Sequence, residues 1–101
     1  MSALGVELKI NVHVEPIEGV SMSEYDFTCT FFTYKNKAVV IPKNKMSKID
    51  NDNYIAVVDT SKTGAGCLKM KFEADIPDDD VEDGFRKEVE LVDLNIPILA
   101  T

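Results

Sequence analysis

The sequence has little of what catalytic and metal sites are usually built from. Its 101 residues include one histidine, two cysteines and no tryptophan. A structural zinc site normally takes four cysteine or histidine ligands, so His13, Cys29 and Cys67 make a poor ligand set. Two cysteines are also too few for a disulfide framework. We therefore expect both thiols to be reduced, with Cys29 in the core.

Catalytic and nucleotide-binding motifs are missing as well. There is no Gly-x-Ser-x-Gly segment, and His13 falls on the polar phase of its strand, where an ordinary surface residue is expected. Gly64-Ala65-Gly66 lacks the third glycine and the following helix of a dinucleotide loop, so it predicts a turn. The sequence nominates no catalytic or cofactor-binding residue. We expect a protein that is not an enzyme and that binds no cofactor.

Positive charge is scarce too. The chain has 11 Lys and Arg against 18 Asp and Glu, a formal net charge of −7. Nucleic acids and anionic membranes bind proteins largely through cationic side chains, so we expect neither as a partner. Apolar runs of about four residues are too short to span a bilayer. The first residues lack the pattern of a signal peptide, which predicts synthesis in the cytoplasm.

What the sequence does contain is alternation of apolar and polar residues. The pattern runs from Val6 to Val14, from Tyr25 to Phe31 and from Leu68 to Ile76. Because successive side chains of a strand point to opposite faces, each segment predicts a strand with one dry face. Tyr54–Val58 is apolar throughout, which predicts a strand covered on both sides.

Turn residues separate these strands. Pro16 and Gly19 interrupt the pattern, and residues 35–37 predict a tight turn into the strand Ala38–Ile41, which Pro42 ends. Residues 43–53 show no regular pattern, and residues 60–66 predict a turn. In Lys87–Ile98 the apolar phase slips, which predicts a bulge near Val92-Asp93.

The count of strands and their spacing indicate the fold class. Six to seven strands with local pairing predict a single all-β domain over residues 1–101, an antiparallel two-layer sandwich with immunoglobulin-like or Greek-key connections. A small β-barrel is the alternative.

An acidic loop follows the strand that ends at Ile76. Carboxylate oxygens suit calcium, so the candidate ligands are Asp78, Asp79, Asp80 and Asp83. The spacing does not match an EF-hand, and a solvated, self-repelling loop is the alternative that we favour. Gly84 is placed to adopt a positive φ, and Arg86 is placed to reach back to a loop carboxylate and order the loop.

Charge is distributed unevenly along the chain. Residues 35–48 contain five lysines and no acidic residue, whereas residues 73–93 are strongly acidic. If the two regions lie at opposite ends, copies of the domain can stack basic end to acidic end. Solvated surfaces without a partner are the alternative. The candidate interaction residues are Lys35, Lys37, Lys43, Lys45, Asp79, Asp80 and Arg86.

Several segments resemble a known group of proteins. They are Tyr25-Asp26-Phe27-Thr28, residues 54–60, the glycine turn into Leu68-Lys69-Met70, and Ile76-Pro77-Asp78 through Asp83-Gly84-Phe85-Arg86. Over roughly residues 6–92 the chain is similar to small β-sandwich proteins of phages, prophages and mobile elements of Bacteroides-type bacteria, associated with tails, baseplates or fibres. The resemblance implies a virion assembly or adhesin-like module, with no catalytic residues to carry over. It also implies incorporation into a virion-like particle.

These observations lead to two functional hypotheses. The first is a structural or interaction module that binds a protein partner or associates with itself. The second is a module that binds carbohydrate or a cell-surface polymer. Such a module needs exposed aromatic side chains, and the candidates are Phe32, Tyr34 and Phe85.

Overall fold

The computed structural model describes residues 2–3, 5–14, 26–33, 38–50, 52–82 and 84–99. Most of these residues lie in strands, as the alternating pattern predicts. A 3-10 turn at Lys43–Lys45 and the one-turn helix α1 at Thr60–Thr63 lie between strands. The strands are β1 (Ser2–Ala3), β2 (Glu7–His13), β3 (Asp26–Phe32), β4 (Val39–Pro42), β5 (Ser47–Lys48), β6 (Asn53–Asp59), β7 (Gly66–Pro77) and β8 (Phe85–Leu99).

The strands form two sheets that pack face to face. Strand order is β1-β8-β7-β3-β4 in the larger sheet and β2-β6-β5 in the smaller one. Between the sheets, the ring of Phe27 on β3 meets the ring of Tyr54 on β6 edge to face, with centroids 5.1 Å apart. The predicted all-β, two-layer sandwich is therefore confirmed in preference to the barrel. The pairings between described strands are antiparallel except that of the two-residue β1, which runs parallel to β8.

The core fills the space between the sheets from one face of each strand. On β6, Tyr54, Ala56 and Val58 are buried, whereas Val57 is 46% exposed. The prediction that this strand is covered on both sides is wrong, because in a two-layer sandwich its second face meets solvent. The predicted dry face of β2 is confirmed for Ile10, Val12 and Val14 but not for Val6, which is exposed. Burial thus follows the alternation along most of β2, β3 and β6.

Buried threonines tie the two sheets together beside α1. Thr60 Oγ1 donates to the carbonyl oxygen of Val6 at 2.7 Å, and Thr33 Oγ1 donates to that of Thr63 at 2.8 Å. The sequence predicts only a turn over residues 60–66, but the first four residues form helix α1. Asp59 caps it, since its side chain accepts the Ser61 N–H at 3.0 Å. One helical turn therefore connects the start of β2 with the end of β3.

The predicted bulge in β8 is present two residues further along. Leu68 pairs with Ile96 and Lys69 with Asp93, so Leu94 and Asn95 have no partner in the ladder. Asn95 has a φ of 55°, a conformation that asparagine tolerates better than most residues. Because two residues are inserted, even-numbered side chains of β8 face the smaller sheet both before and after the bulge, so it does not bring Val89 and Leu91 onto the face of Ile98 as the sequence interpretation required. Val89 and Leu91 stay on the outer face and are exposed, whereas Ile98 faces the core and is buried.

Two further sequence predictions concern connections. Phe31 pairs with Val39, so β3 and β4 form the expected antiparallel pair, although the turn at residues 35–37 lies outside the described residues. The predicted break at Pro16 and Gly19 lies outside them as well. Within the described residues, no helix has the length and apolar character needed to cross a membrane.

Candidate functional site

The acidic loop between β7 and β8 is closed by its own backbone. The Asp78 N–H donates to the carbonyl oxygen of Gly84 at 2.9 Å, and the Gly84 N–H donates to that of Val81 at 2.9 Å. Gly84 has a φ of 85°, the positive value expected of it. Arg86 Nη1 lies 3.1 Å from Asp78 Oδ2, and Arg86 Nε donates to Glu88 Oε1 at 3.1 Å. The predicted contact of Arg86 with a loop carboxylate is confirmed.

Hydrogen bonds also set the ionisation of this loop. The Asp80 backbone N–H donates to Asp78 Oδ1 at 3.0 Å. That bond, and next the bond from Arg86, hold the pKa of the Asp78 carboxyl below its ordinary value. Side-chain bonds to Asp78 and Glu88 raise the pKa of Arg86. Both carboxylate oxygens of Asp78 are thus engaged within the chain.

The four candidate calcium ligands are used in different ways. Asp78 faces the Asp80 backbone and Arg86, while Asp79 and Asp80 are exposed, and Asp83 lies outside the described residues. In the part of the chain that the structure describes, no three acidic, histidine or cysteine side chains are grouped so that they could hold a metal ion. The calcium site stays a prediction of the sequence.

Three of the predicted basic residues lie beside β4 and β5. Lys43 is half-buried, with its Nζ 5.9 Å from the centroid of the Phe27 ring. Lys45 and Lys48 are exposed. Lys35 and Lys37 lie outside the described residues. We refer to Lys43, Lys45 and Lys48 as the basic edge.

The strand order places the acidic residues on the other side of the sandwich. β4 is the last strand on one side of the larger sheet, and β8 lies on the other side, where β1 covers only Ile98 and Leu99. In the smaller sheet β5 and β2 are likewise the two outer strands. The charged regions therefore lie on opposite sides of the sheets, rather than at the opposite ends that the sequence leads us to consider. We refer to Asp79, Asp80, Glu88 and Glu90 as the acidic edge.

A groove of about 740 Å³ runs along the acidic edge between β2 and β8. It lies where the three-stranded sheet ends and the larger sheet continues beneath it. Its apolar lining comes from both sheets and includes Ile10, Val12, Met70 and Phe72. The glutamates Glu88 and Glu90 also line it, beside Asn11 and His13 of β2.

Glu88 and Glu90 occupy core-facing positions of β8. Glu88 is the register partner of the buried Ala74, and Glu90 is the partner of the half-buried Phe72. Side chains of directly opposed residues lie on the same face of a sheet, so both carboxylates point toward the smaller sheet. They are nevertheless exposed, because the groove lies above them. Two carboxylates thus lie beside the apolar residues that line the groove.

Sequence reasoning missed both glutamates and the groove. The signal that was available is the segment Val89-Glu90-Leu91, in which apolar and acidic residues alternate. Alternation alone does not say which set faces the core. The pairing with β7 decides it: Val89 and Leu91 are opposite Glu73 and Lys71 and lie on the outer face.

The histidine and the two cysteines differ in their exposure to solvent. His13 is exposed, as predicted, and its Nδ1 lies 3.1 Å from Asn53 Oδ1. Cys29 is buried in the core, as predicted, and burial raises the pKa of its thiol to about 12. The thiol is therefore protonated at neutral pH and is a poor nucleophile. Cys67 is an exposed free thiol.

The aromatic candidates for carbohydrate binding lie far apart. Phe32 is opposite Lys69 and Phe85 is opposite Pro77, eight residues along β7, which is roughly 26 Å at about 3.3 Å per residue. Tyr34 lies outside the described residues. Phe32 and Phe85 thus do not share one stacking platform for a sugar.

The comparisons with known proteins leave the function to be argued from this geometry. Comparison of the chain with protein-family models, with curated proteins and with solved structures finds no match. The features that bear on function are the basic edge, the acidic edge and the groove between β2 and β8.

Proposed function

We propose that this domain is a non-enzymatic structural or interaction module whose copies associate side by side, the basic edge of one against the acidic edge of the next. One observation carries the proposal: opposite charges lie on opposite sides of one sandwich. Lys45 and Lys48 are exposed on one side, and Glu88 and Glu90 on the other. Because each copy then uses two different surfaces, the contact is heterologous and extends to rows or rings.

Exposed apolar side chains accompany the charges on both sides. Val40 of β4 is 60% exposed and Leu91 of β8 is 70% exposed. Association that covers both removes apolar surface from water, which supplies attraction that solvated ion pairs alone do not. Charge then selects the orientation of the neighbour and speeds its encounter.

We also propose that the domain has no catalytic activity. The protonated Cys29 thiol is enclosed in the core, and His13 Nδ1 lies 3.1 Å from the amide oxygen of Asn53. The sequence offers no other nucleophile–base pair. The dispersed Phe32 and Phe85 favour no carbohydrate site, so we propose no second function.

The role in a phage or prophage tail, baseplate or fibre rests on the sequence resemblance alone. A module whose copies join in rows suits such an assembly, and we include it as the setting that we propose. Production in the cytoplasm before assembly, and connections of the immunoglobulin-like or Greek-key type, belong to the same proposal.

Light scattering as a function of salt tests the association. At about 0.1 M salt the Debye length is about 10 Å, which screens repulsion between copies of net charge −7 but leaves contacts of a few ångströms. At about 1 M salt the Debye length is about 3 Å, and the contact pairs weaken. We expect a mass above that of the monomer at the lower salt, and dissociation at the higher salt. A monomer at every salt and protein concentration would contradict the proposal.

A charge-reversal pair shows whether the edges are responsible. Lys45→Glu lies on the basic edge, and Lys62→Glu makes the same change in charge on α1, where Lys62 is exposed. We expect the first variant to be monomeric and the second to associate like the unmodified protein. Equal loss in both variants would mean that net charge, rather than an edge, controls association.

A further inference from the structure

We infer that the side-by-side contact has a defined geometry, in which β4 of one copy pairs with β8 of the next and Lys48 enters the groove above Glu88 and Glu90. The inference rests on the proposed function and names the partner and the register of the same surfaces. The occupant of the groove is thus a second copy of this chain.

The backbones of the two outer strands can extend the larger sheet in an antiparallel manner. Among the described strands, β4 pairs only with β3, and the Phe85–Pro97 part of β8 pairs only with β7. The order β8-β7-β3-β4 is antiparallel at each step, so β4 and β8 run in opposite directions. A copy displaced sideways therefore brings its β4 against β8 as an antiparallel pair, and the sheet continues from copy to copy.

The exposed apolar side chains of the two outer strands share one register. Val40, Thr30, Lys71 and Leu91 are successive partners across the four strands and form one row. A sideways displacement without a shift along the strands puts Val40 of the next copy directly beside Leu91. Directly opposed side chains lie on the same face of the sheet and cover each other. The two edge positions that expose apolar surface thus become one cross-strand pair.

The smaller sheet is narrower than the larger one. It has three strands, whereas the larger sheet has four besides the two-residue β1, so joining the larger sheets of two copies leaves a gap of one strand at the groove. Lys48 is the partner of the buried Tyr54, which in turn is the partner of Val12 in the groove. The same displacement therefore brings Lys48 of the next copy to the level of the groove. Its long side chain spans the gap toward Glu88 and Glu90.

Both edges carry features that discourage other strands. β4 has four residues and ends in Pro42, and β8 turns Glu88 and Glu90 toward the sheet interior. Short edges, proline and inward-pointing charges all oppose pairing with an arbitrary strand. Arg86 already contacts Glu88 at 3.1 Å, so a neighbour that brings Lys48 to Glu90 removes this obstacle, whereas a strand without a cation at that position does not. The glutamates therefore provide selectivity for a second copy.

Disulfide trapping between copies tests the register. The variant Val40→Cys with Leu91→Cys is made with Cys67→Ser, so that the exposed native thiol does not interfere. Directly opposed residues of antiparallel strands have Cα atoms about 4.5–5.5 Å apart, within the range of a disulfide. We expect mild oxidation to give a ladder of dimers, trimers and longer chains on non-reducing gels. Each single-cysteine variant is expected to give no ladder, and a mixture of the two is expected to give the mixed dimer.

Two controls separate the register from chance contact. Val57→Cys replaces Leu91→Cys in the first; Val57 is exposed but lies on the central strand β6, and no ladder is expected. In the second, Glu90→Lys is added to the trapping variant, and cross-linking is expected to slow by about tenfold or more because like charges then meet. Adding Lys48→Glu as well is expected to restore it. Thermal unfolding of each variant verifies that the fold is intact.

Each result bears on one of the two claims. Salt-dependent association without the Val40–Leu91 ladder would overturn the inferred register and leave the proposed function standing. A ladder that forms equally well with Val57→Cys, or that ignores Glu90→Lys, would also overturn the inference. Loss of salt-dependent association itself contradicts the proposed function.

Discussion

Burial gives the two cysteine side chains different chemistry. Cys29 has no exposed surface, and loss of hydration raises the pKa of its thiol to about 12. Cys67 is the second residue of β7 and is exposed to solvent. Because the thiolate is the reactive form, access and ionisation both protect Cys29.

This difference predicts a count of reactive thiols. We expect the folded protein to react quickly with one equivalent of a thiol reagent such as dithionitrobenzoate, and with two equivalents in denaturant. Cys67→Ser is expected to leave no fast-reacting thiol in the folded protein. Fast reaction of the Cys67→Ser protein under native conditions would mean that Cys29 is accessible.

Thr33 supports a prediction about stability. Its Oγ1 donates to the buried Thr63 carbonyl oxygen at 2.8 Å, so Thr33→Val keeps the shape but removes the donor. Leaving a buried acceptor unsatisfied costs about 1–3 kcal/mol. Thr30→Val is the matched control, because Thr30 is half-buried on the outer face of β3, the strand that Thr33 follows, and a change within about 0.5 kcal/mol is expected. Urea unfolding measures both, and equal effects would contradict the role given to the hydrogen bond.

At the scale of the element, β8 contains a bulge that keeps the same set of side chains facing the core on both sides of it. Two residues have no ladder partners, and on both sides of them the even-numbered residues, such as Glu90 and Ile98, face the smaller sheet. The turn needs a residue that accepts a positive φ, and the Asn95 N–H is fixed by Asp93 Oδ1 at 2.9 Å. An insertion of one residue at this point would instead exchange the acidic and apolar faces of the strand.

The bulge therefore predicts a particular response to substitution at position 95. Asn95→Gly keeps access to φ near 55° and is expected to change stability little. Asn95→Val places a β-branched residue in the left-handed region, at a cost of about 1–2 kcal/mol. Denaturant unfolding compares the two variants. If Asn95→Val is as stable as Asn95→Gly, the backbone conformation does not depend on this residue.

Sequence patterns predicted the strands well and the surfaces poorly. Period-two alternation identifies β2, β3 and β7 because each has one face in the core. It fails at Val57, since an apolar run does not reveal how many layers cover a strand. It also fails at Glu88 and Glu90, whose exposure follows from the width of another sheet. Such features depend on residues distant in the chain, which local periodicity does not register.

At the scale of the whole molecule, charge has two opposed effects on stability. The excess of negative charges, a net −7 at pH 7, destabilises the fold because these charges repel one another, so mild acid reduces that repulsion. Three carboxylates act in the other direction. Asp50 accepts hydrogen bonds from the Asp52 backbone and the Asn53 side chain, Asp59 accepts them from Ser61, and Asp78 from Asp80 and Arg86. These bonds hold the pKa of all three carboxyls below the usual value of 3.8.

The lowered pKa values give the sign of the acid response. A carboxyl whose pKa is lower in the folded chain than in the unfolded chain binds protons more readily when unfolded. Its contribution to the free energy of unfolding is therefore present above about pH 4 and is lost as the pH falls through the folded pKa. We expect urea midpoints to fall steeply below about pH 4, and Asp50→Asn, Asp59→Asn and Asp78→Asn together to flatten that fall.

The control for this prediction changes net charge without touching these hydrogen bonds. Glu7→Gln, Asp79→Asn and Glu82→Gln together remove three charges from exposed positions. If total charge governs acid unfolding, this control flattens the pH dependence as much as the triple asparagine variant does. If the hydrogen-bonded carboxylates of Asp50, Asp59 and Asp78 govern acid unfolding, the control variant keeps the steep fall of the urea midpoint. The second outcome is expected, because hydrogen bonds from fixed backbone N–H groups stabilise a carboxylate where it lies, whereas dispersed surface charges are screened by salt.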